Sequence, residues 1–220
     1  LLKADRIDLD YLVRYTNAHW LVVRNPGGAD DGLFARDADG HALCRTRAGG
    51  TARADAIDIA PAVVGDVTLP DGRSAVPVFH LVAERYLDPQ YAPDAVSERC
   101  GVPADTIRRI ARELAAAAFD SDFSLPIAWT DTHGRRHESM RGRPVAMHAM
   151  RGISAHSNGF HTCRALHLLQ LLLGAVDAPG SFRYQPPFPR PIPPANRPGK
   201  TRGADGKLDH NSAMTGDDLR

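Results

Sequence analysis

The chain has 220 residues, and a composition of 43% hydrophobic and 24% charged residues is that of a soluble globular protein rather than a disordered one. Its 27 Lys and Arg stand against 26 Asp and Glu, a formal charge of +1, which excludes a global field drawing it to nucleic acid or an anionic membrane. Cys44, Cys100 and Cys163 are scattered and odd in number, which argues against a disulfide framework or a paired metal knuckle, and no apolar run reaches the roughly 18 residues of a membrane span.

The opening LLKADRIDLDYLVRYT carries neither an initiator Met nor a signal-like apolar region, so the chain is expected to begin in the middle of a longer protein. Between Asp8 and Val23, Leu9, Leu12, Val13, Tyr15 and Trp20 recur at mixed helical spacing, which predicts a helix, and NPGGADDG from Asn25 predicts a loop after it. The pieces LFARD, AIDIAP, VVGDVTL and SAVPVF lie between Leu33 and Pro77, with turn dipeptides at Asp39-Gly40 and Asp71-Gly72; they predict short hairpins. From Val78, the apolar residues Val78, Leu81, Val82 and Tyr86 predict a helix that DPQYAP ends. AVSERCGVPADTIRRIARELAAAAF predicts two helices hinged at Gly101-Val102-Pro103, the second capped by Asp105 and buried along Ile107, Ile110, Ala111 and Leu114.

PIAWTDTHG reads as a short buried strand turning at Gly134, and RPVAMHAM as a strand or the start of a helix. After Ser157 or Asn158 as cap, Phe160, Cys163, Leu166, Leu169 and Leu173 predict a helix that Gly174 ends in a left-handed conformation. Beyond Ser181 the chain is proline-rich and can continue neither a helix nor a central strand, so it is expected to form an extended strap. The fold class is α/β, arranged as a helical segment (1–30), a β-rich excursion (31–77), an α/β portion (78–180) containing the helical hairpin, and the tail (181–220).

Three patterns carry candidate chemistry. The loop GISAHSNG holds more small polar residues than one helix cap requires, and amides ahead of a helix N-terminus suit a phosphate; an ordinary capped turn is the bland alternative. His133 and His137, or His161, Cys163 and His167, have metal-like spacing, yet no carboxylate completes either set, and surface or hydrogen-bonded histidines are the expectation. The hinge in AVSERCGVPADTIRRIARELA has helix-turn-helix spacing, with Asp105, Thr106, Arg108, Arg109 and Arg112 available to DNA and Glu113 opposing, against which a structural hairpin is the plainer reading.

Taken together, DLDYLVRYTNAHWLV, YAPDAVSERCGVPADTIRRIARELA, PIAWTDTHG and above all GRPVAMHAMRGISAHSNGFHTCRALHLLQLLLGAVDAPGSFRYQPPFPRP resemble the molybdopterin-dependent oxidoreductases of the dimethyl-sulfoxide-reductase type. The resemblance is to a central fragment of the catalytic subunit, nearest to the branch that acts on inorganic sulfur compounds: sulfite dehydrogenases and thiosulfate, polysulfide or tetrathionate reductases. It implies a molybdenum bis(molybdopterin guanine dinucleotide) cofactor contacted by Gly152, Ser154, His156, Ser157, Asn158 and Gly159, with the metal ligand and a 4Fe-4S cluster in other parts of the protein. It also implies an iron-sulfur partner subunit, a membrane anchor subunit, a small inorganic substrate and no nucleic acid, in the cytoplasm or periplasm. In the family the GVP hinge joins two packing helices. The family's cluster cysteines, its metal ligand and its cap domain have no counterpart in these residues, so the fragment by itself is expected to be inactive.

Overall fold

The computed structural model describes residues 1–57, 59–131, 134–149 and 151–182, so the proline-rich tail beyond Phe182 and His133 lie outside the described residues. Asp8 accepts a hydrogen bond from the Tyr11 amide at 2.9 Å and caps α1 (Leu9–Tyr15), whose end is marked by extended backbone at Thr16. The helix does not run on to Val23 as expected: residues 21–24 form β1 (Leu21–Arg24). On one side β1 pairs antiparallel with β6 (Ser74–Pro77), and on the other the Val23 and Ala35 amides bond to the Leu33 and Leu21 carbonyls, each at 2.9 Å. A strand flanked this way buries both faces, and Leu21, Val22 and Val23 are all buried. Such a short apolar run has no period by which to tell strand from helix.

The expected β-rich excursion is present, with its strands in partly different places. β5 (Val67–Thr68) adds to β6, and a second antiparallel sheet has the order β3 (Thr51–Arg53), β2 (Leu43–Thr46), β4 (Pro61–Ala62). LFARD contributes only isolated bridges at Phe34 and Arg36, AIDIAP contributes only Pro61, and β2 and β3 fall outside all four expected pieces. The two Asp-Gly turns fold as their dipeptides require, with Gly40 and Gly72 at φ +87° and +88°. The sheets touch through the Trp20–Cys44 bridge.

Pro77, which lacks a donor, precedes α2 (Val78–Leu87). Its buried side chain is Phe79, with Ala83 packed beside it, rather than Leu81 and Val82. The hinge between α3 (Pro93–Cys100) and α4 (Ala104–Phe119) turns on Gly101 at φ +69°, the left-handed C-cap that a residue without Cβ enters at little strain. Asp105 does not cap α4: the cap position is Pro103, with no side-chain bond, and Asp105 complements the helix dipole from the first turn. Nor is the expected face fully buried, because Ala115 and Ala118 reach the core while Ile110 is 43% exposed.

β7 (Ser124–Leu125) pairs with β10 (Met140–Arg141) and encloses the hairpin of β8 (Trp129–Thr130) and β9 (Arg136–His137). The turn at Gly134 is as expected, with φ +76°, but β8 is half-buried to exposed, not a buried strand. RPVAMHAM forms neither strand nor helix over residues 143–149. It is held instead by the Arg143 amide on the Pro179 carbonyl at 2.9 Å and by burial of Val145. All strand pairs among the described residues are antiparallel, so this mixed α and β architecture has no parallel sheet of named strands. α5 (Gly159–Leu172) follows a single 3-10 turn at Arg151–Ser154 and ends at Gly174, which adopts the left-handed conformation expected of it, φ +64°.

The start of α1 and the end of α4 meet at one largely buried ion pair. Arg143 donates to Asp8 Oδ2 from Nε at 3.0 Å and from Nη2 at 2.5 Å, and both side chains are largely buried, 11% and 14% exposed. Its Nη1 reaches the Ala118 carbonyl at 3.3 Å near the end of α4, and its guanidinium lies 4.9 Å from the centre of the Phe119 ring. Removing one partner strands the other charge, so Arg143→Met is expected to lower stability by about 3–5 kcal/mol in urea denaturation. Nearby, burial together with the charges of Asp177 and Asp8 raises the Tyr11 hydroxyl from 10.0 to about 12, while the hydroxyl donates to the Val176 carbonyl at 2.9 Å. The folded state therefore holds that proton more tightly than the unfolded chain. Stability from this group is present below pH 10.0 and lost as pH rises toward about 12, and Tyr11→Phe is expected to remove that alkaline loss from a denaturation series.

Candidate functional site

α5 is apolar through its second half, and that half is buried on two sides. Leu168, Leu171 and Leu172 pack with Leu12, Ala18 and Phe79; Leu169 and Leu173 pack with Ala118, Val145 and Ala175. The first half lies open. Phe160, expected in the buried stripe, is 75% exposed, and His161, Thr162, Arg164, Ala165 and His167 are exposed with it. The helix is thus rooted at its C-terminal end and projects its N-terminal end from the body.

The preceding turn is shaped by one close approach. A Cβ on Gly159 would sit 2.2 Å from the Ser154 carbonyl oxygen, so only glycine lets the 3-10 turn lie against the start of the helix. The Gly159 amide donates to the His156 carbonyl at 2.9 Å and the Ala155 amide to Gly152 at 3.3 Å. The Ser154 hydroxyl returns to the Arg151 carbonyl at 2.9 Å. Asn158 occupies the cap position as expected, but its side chain makes no capping bond; its carbonyl instead accepts from the Thr162 amide at 3.0 Å. Among the sequence-derived candidates, Gly152, Ser154, His156, Ser157 and Asn158 are all exposed, and Gly159 is buried beneath them.

The six residues therefore come together on one short turn at the tip of α5. The first turn of the helix contains no acidic residue, and Arg151 and Arg164 flank it. The helix N-terminus, with no acidic residue in its first turn, and an Asn158 amide not engaged in capping form a donor-bearing surface, with Arg151 and Arg164 close to it in the sequence. That donor set fits an anionic, phosphate-bearing group. The fit is with a surface rather than an enclosed pocket: neither the cavity beside Trp20 nor the one between Ile110 and Val145 is lined by these residues.

Elsewhere the histidine expectations resolve differently. His137 Nε2 lies 3.0 Å from Asp131 Oδ2, and its ring stacks on Trp129 at 4.5 Å and 18°. The Asp131 side chain, 1% exposed, also accepts from the Arg135 amide at 2.9 Å and faces Arg14 Nε at 3.7 Å. No spacing in the sequence announces this pair, because the hairpin turn creates it. His133 lies outside the described residues, and among those described no three His, Cys, Asp or Glu side chains converge on a metal position. On the helical hairpin, Arg108 pairs with Asp94 and Asp105, and Arg109 with Glu113 at 2.7 Å. The Arg108 hydrogen bond holds Asp94 below the usual carboxylate range. Two of the three arginines expected to be available to DNA are thus paired with carboxylates of the hairpin itself.

No protein-family model matches the chain. Over 218 residues it is 43% identical to a sulfite dehydrogenase subunit of Allochromatium vinosum, an alignment covering 90% of the chain and 21% of that protein. Over 183 residues it is 27% identical to the formate dehydrogenase-O major subunit of Escherichia coli, covering 82% of the chain and 15% of that protein. The chain thus spans about a fifth or less of the length of the curated relatives it matches, and both relatives are named as dehydrogenase subunits.

The Gly159 contact generates a direct test. Gly159→Ala is expected to push the 3-10 turn off the helix, at an overpacking cost of about 1–3 kcal/mol. Amide hydrogen exchange should show the loss of protection confined to residues 151–162 before it appears in α1 or α4.

Proposed function

We propose that this chain is part of the catalytic subunit of a molybdenum oxidoreductase, and that the turn from Gly152 to Gly159 holds a phosphate-bearing part of a bis(molybdopterin guanine dinucleotide) cofactor. The observation that carries the reading is the exposed, donor-rich tip of α5: a helix that buries its root on two apolar faces leaves its positive end, with no acidic neighbour in the first turn, facing outward. The similarity to two dehydrogenase subunits over most of the chain supports the redox assignment.

In this reading the open amides of the tip receive anionic oxygens, the Asn158 amide adds a donor and an acceptor for orientation, and Arg151 and Arg164 supply balancing charge. His156, exposed on the same turn, offers a further polar contact to the bound cofactor. Gly159 fixes the distance between turn and helix. When bound, the cofactor supplies two-electron chemistry with oxygen or sulfur atom transfer; the residues of this chain orient it and hold its charge. By similarity to the sulfite dehydrogenase relative, the substrate we assign is an inorganic sulfur compound. That relative is named as one subunit of its enzyme, which supports partner subunits here; we assign them as an iron-sulfur electron carrier and a membrane anchor, with the complex in the cytoplasm or periplasm.

Asn158→Leu removes a polar contact without filling the core. In the full-length protein it is expected to weaken cofactor retention by about tenfold, the loss of one or two hydrogen bonds to a charged group. Molybdenum and pterin content per polypeptide after dialysis reads this directly. Undiminished content in both Asn158→Leu and Arg164→Glu would remove the tip of α5 from the cofactor site.

A further inference from the structure

A cavity of about 380 Å³ lies between the end of α1 and the second sheet, far in sequence from the tip of α5. Its lining includes Arg14, His19, Trp20, Arg36, His41 and Ala54. The volume is within the range of small-molecule sites, roughly 300–1,000 Å³. The lining is chemically divided. Trp20 and Ala54 offer apolar surface, with the Trp20 ring braced edge-on by Phe34 at 5.4 Å. His19, 5% exposed, is fixed through Nε2 at 3.1 Å from the Ala54 carbonyl.

The charged part of the lining is built with support behind it. Arg14 lies 3.7 Å from the buried Asp131 carboxylate, which His137 and the Arg135 amide also hold, and its guanidinium sits 5.9 Å from the centres of both the Tyr15 and Trp129 rings. Its position is therefore set by an inner framework. Arg36 sits on the turn, donating to the Gly40 carbonyl at 2.7 Å, and has no carboxylate partner among the described residues. The acidic residue of the lining, Asp55, is already taken up by Arg53 at 3.0 Å, and that contact holds it below its usual carboxylate range. With Arg14 paired to Asp131 and Asp55 to Arg53, the charge of the lining left without a carboxylate is that of Arg36, beside an aromatic wall.

We infer that this cavity binds a small organic carboxylate, with its apolar body against Trp20 and its carboxylate on the Arg36 guanidinium. A guanidinium presents two parallel donors that match a carboxylate, and the apolar wall distinguishes an organic anion from an inorganic one. The site uses no residue of the α5 tip, so it is independent of the cofactor assignment.

Benzoate, its neutral isostere benzamide and inorganic sulfate are the probes, titrated by calorimetry into the full-length protein and into Arg36→Ala and Arg36→Lys variants. Arg36 is exposed, and its loss leaves the core intact. Saturable benzoate binding in the millimolar range or tighter is expected, weakened about tenfold or more by Arg36→Ala and partly restored by Arg36→Lys, with benzamide and sulfate both weaker. Chemical shifts or emission of Trp20 should move with benzoate and not with sulfate. The inference is overturned if benzoate fails to saturate, if Arg36→Ala binds it equally well, or if benzamide or sulfate binds as tightly. Circular dichroism of Arg36→Ala keeps a folding defect from being taken for lost binding.

Discussion

The described part of the fold depends on what Asp8 does with each of its polar groups. One carboxylate oxygen caps α1 at the Tyr11 amide, the other receives Arg143, and its backbone amide donates to the Leu172 carbonyl at 2.8 Å, satisfying the C-terminal end of α5. Arg143 in turn carries the contact to the end of α4. Gly174 completes the junction, because a Cβ there would lie 2.8 Å from Asp8 Oδ2. Three helix termini and an irregular strap are therefore joined at a single buried charge pair, where each group has partners enough to offset its desolvation.

That junction explains how the exposed tip of α5 can be held still. α5 gains little from propensity or capping at its first turn, since Asn158 makes no side-chain cap and the turn is open. Its order comes from the other end, where the two apolar clusters close over Leu168 to Leu173 and the Asp8 amide donates to the Leu172 carbonyl. The stiffness needed to present amides at the tip is thus supplied by packing at the root. The turn contributes a separate constraint, the close contact of Gly159 with Ser154, which ties loop and helix together without any side chain.

Much of this is legible in the residues, and the exceptions have physical causes. The hinge at Gly101, the stop at Gly174 and the Asp-Gly turns are readable because each requires a left-handed residue, a demand that glycine marks locally. β1 escapes the sequence because a strand buried on both faces carries no alternation, and the Asp131–His137 pair because it exists only once the hairpin has formed. Phe160 reads as a core residue because it sits in register with Cys163; nothing in the periodicity of α5 says that the body ends before the helix does. Gln170, which interrupts the apolar run on paper, is 1% exposed. The polar loop ahead of α5 is visible as a compositional excess, whereas the cavity beside Trp20 is not, since its lining is drawn from separated stretches of chain.

A rod clamped at one end transmits angular errors in full. The 14 residues of α5 span about 21 Å, and each residue advances the helix by about 100°. A single insertion or deletion between Gly159 and Leu168 would leave the clamp intact while swinging the tip roughly a quarter turn away from whatever it meets. Homologous chains that keep the same contact at the tip should accordingly preserve the length of this interval even where its side chains diverge, and should take up their length variation in surface turns such as the one at residues 25–32.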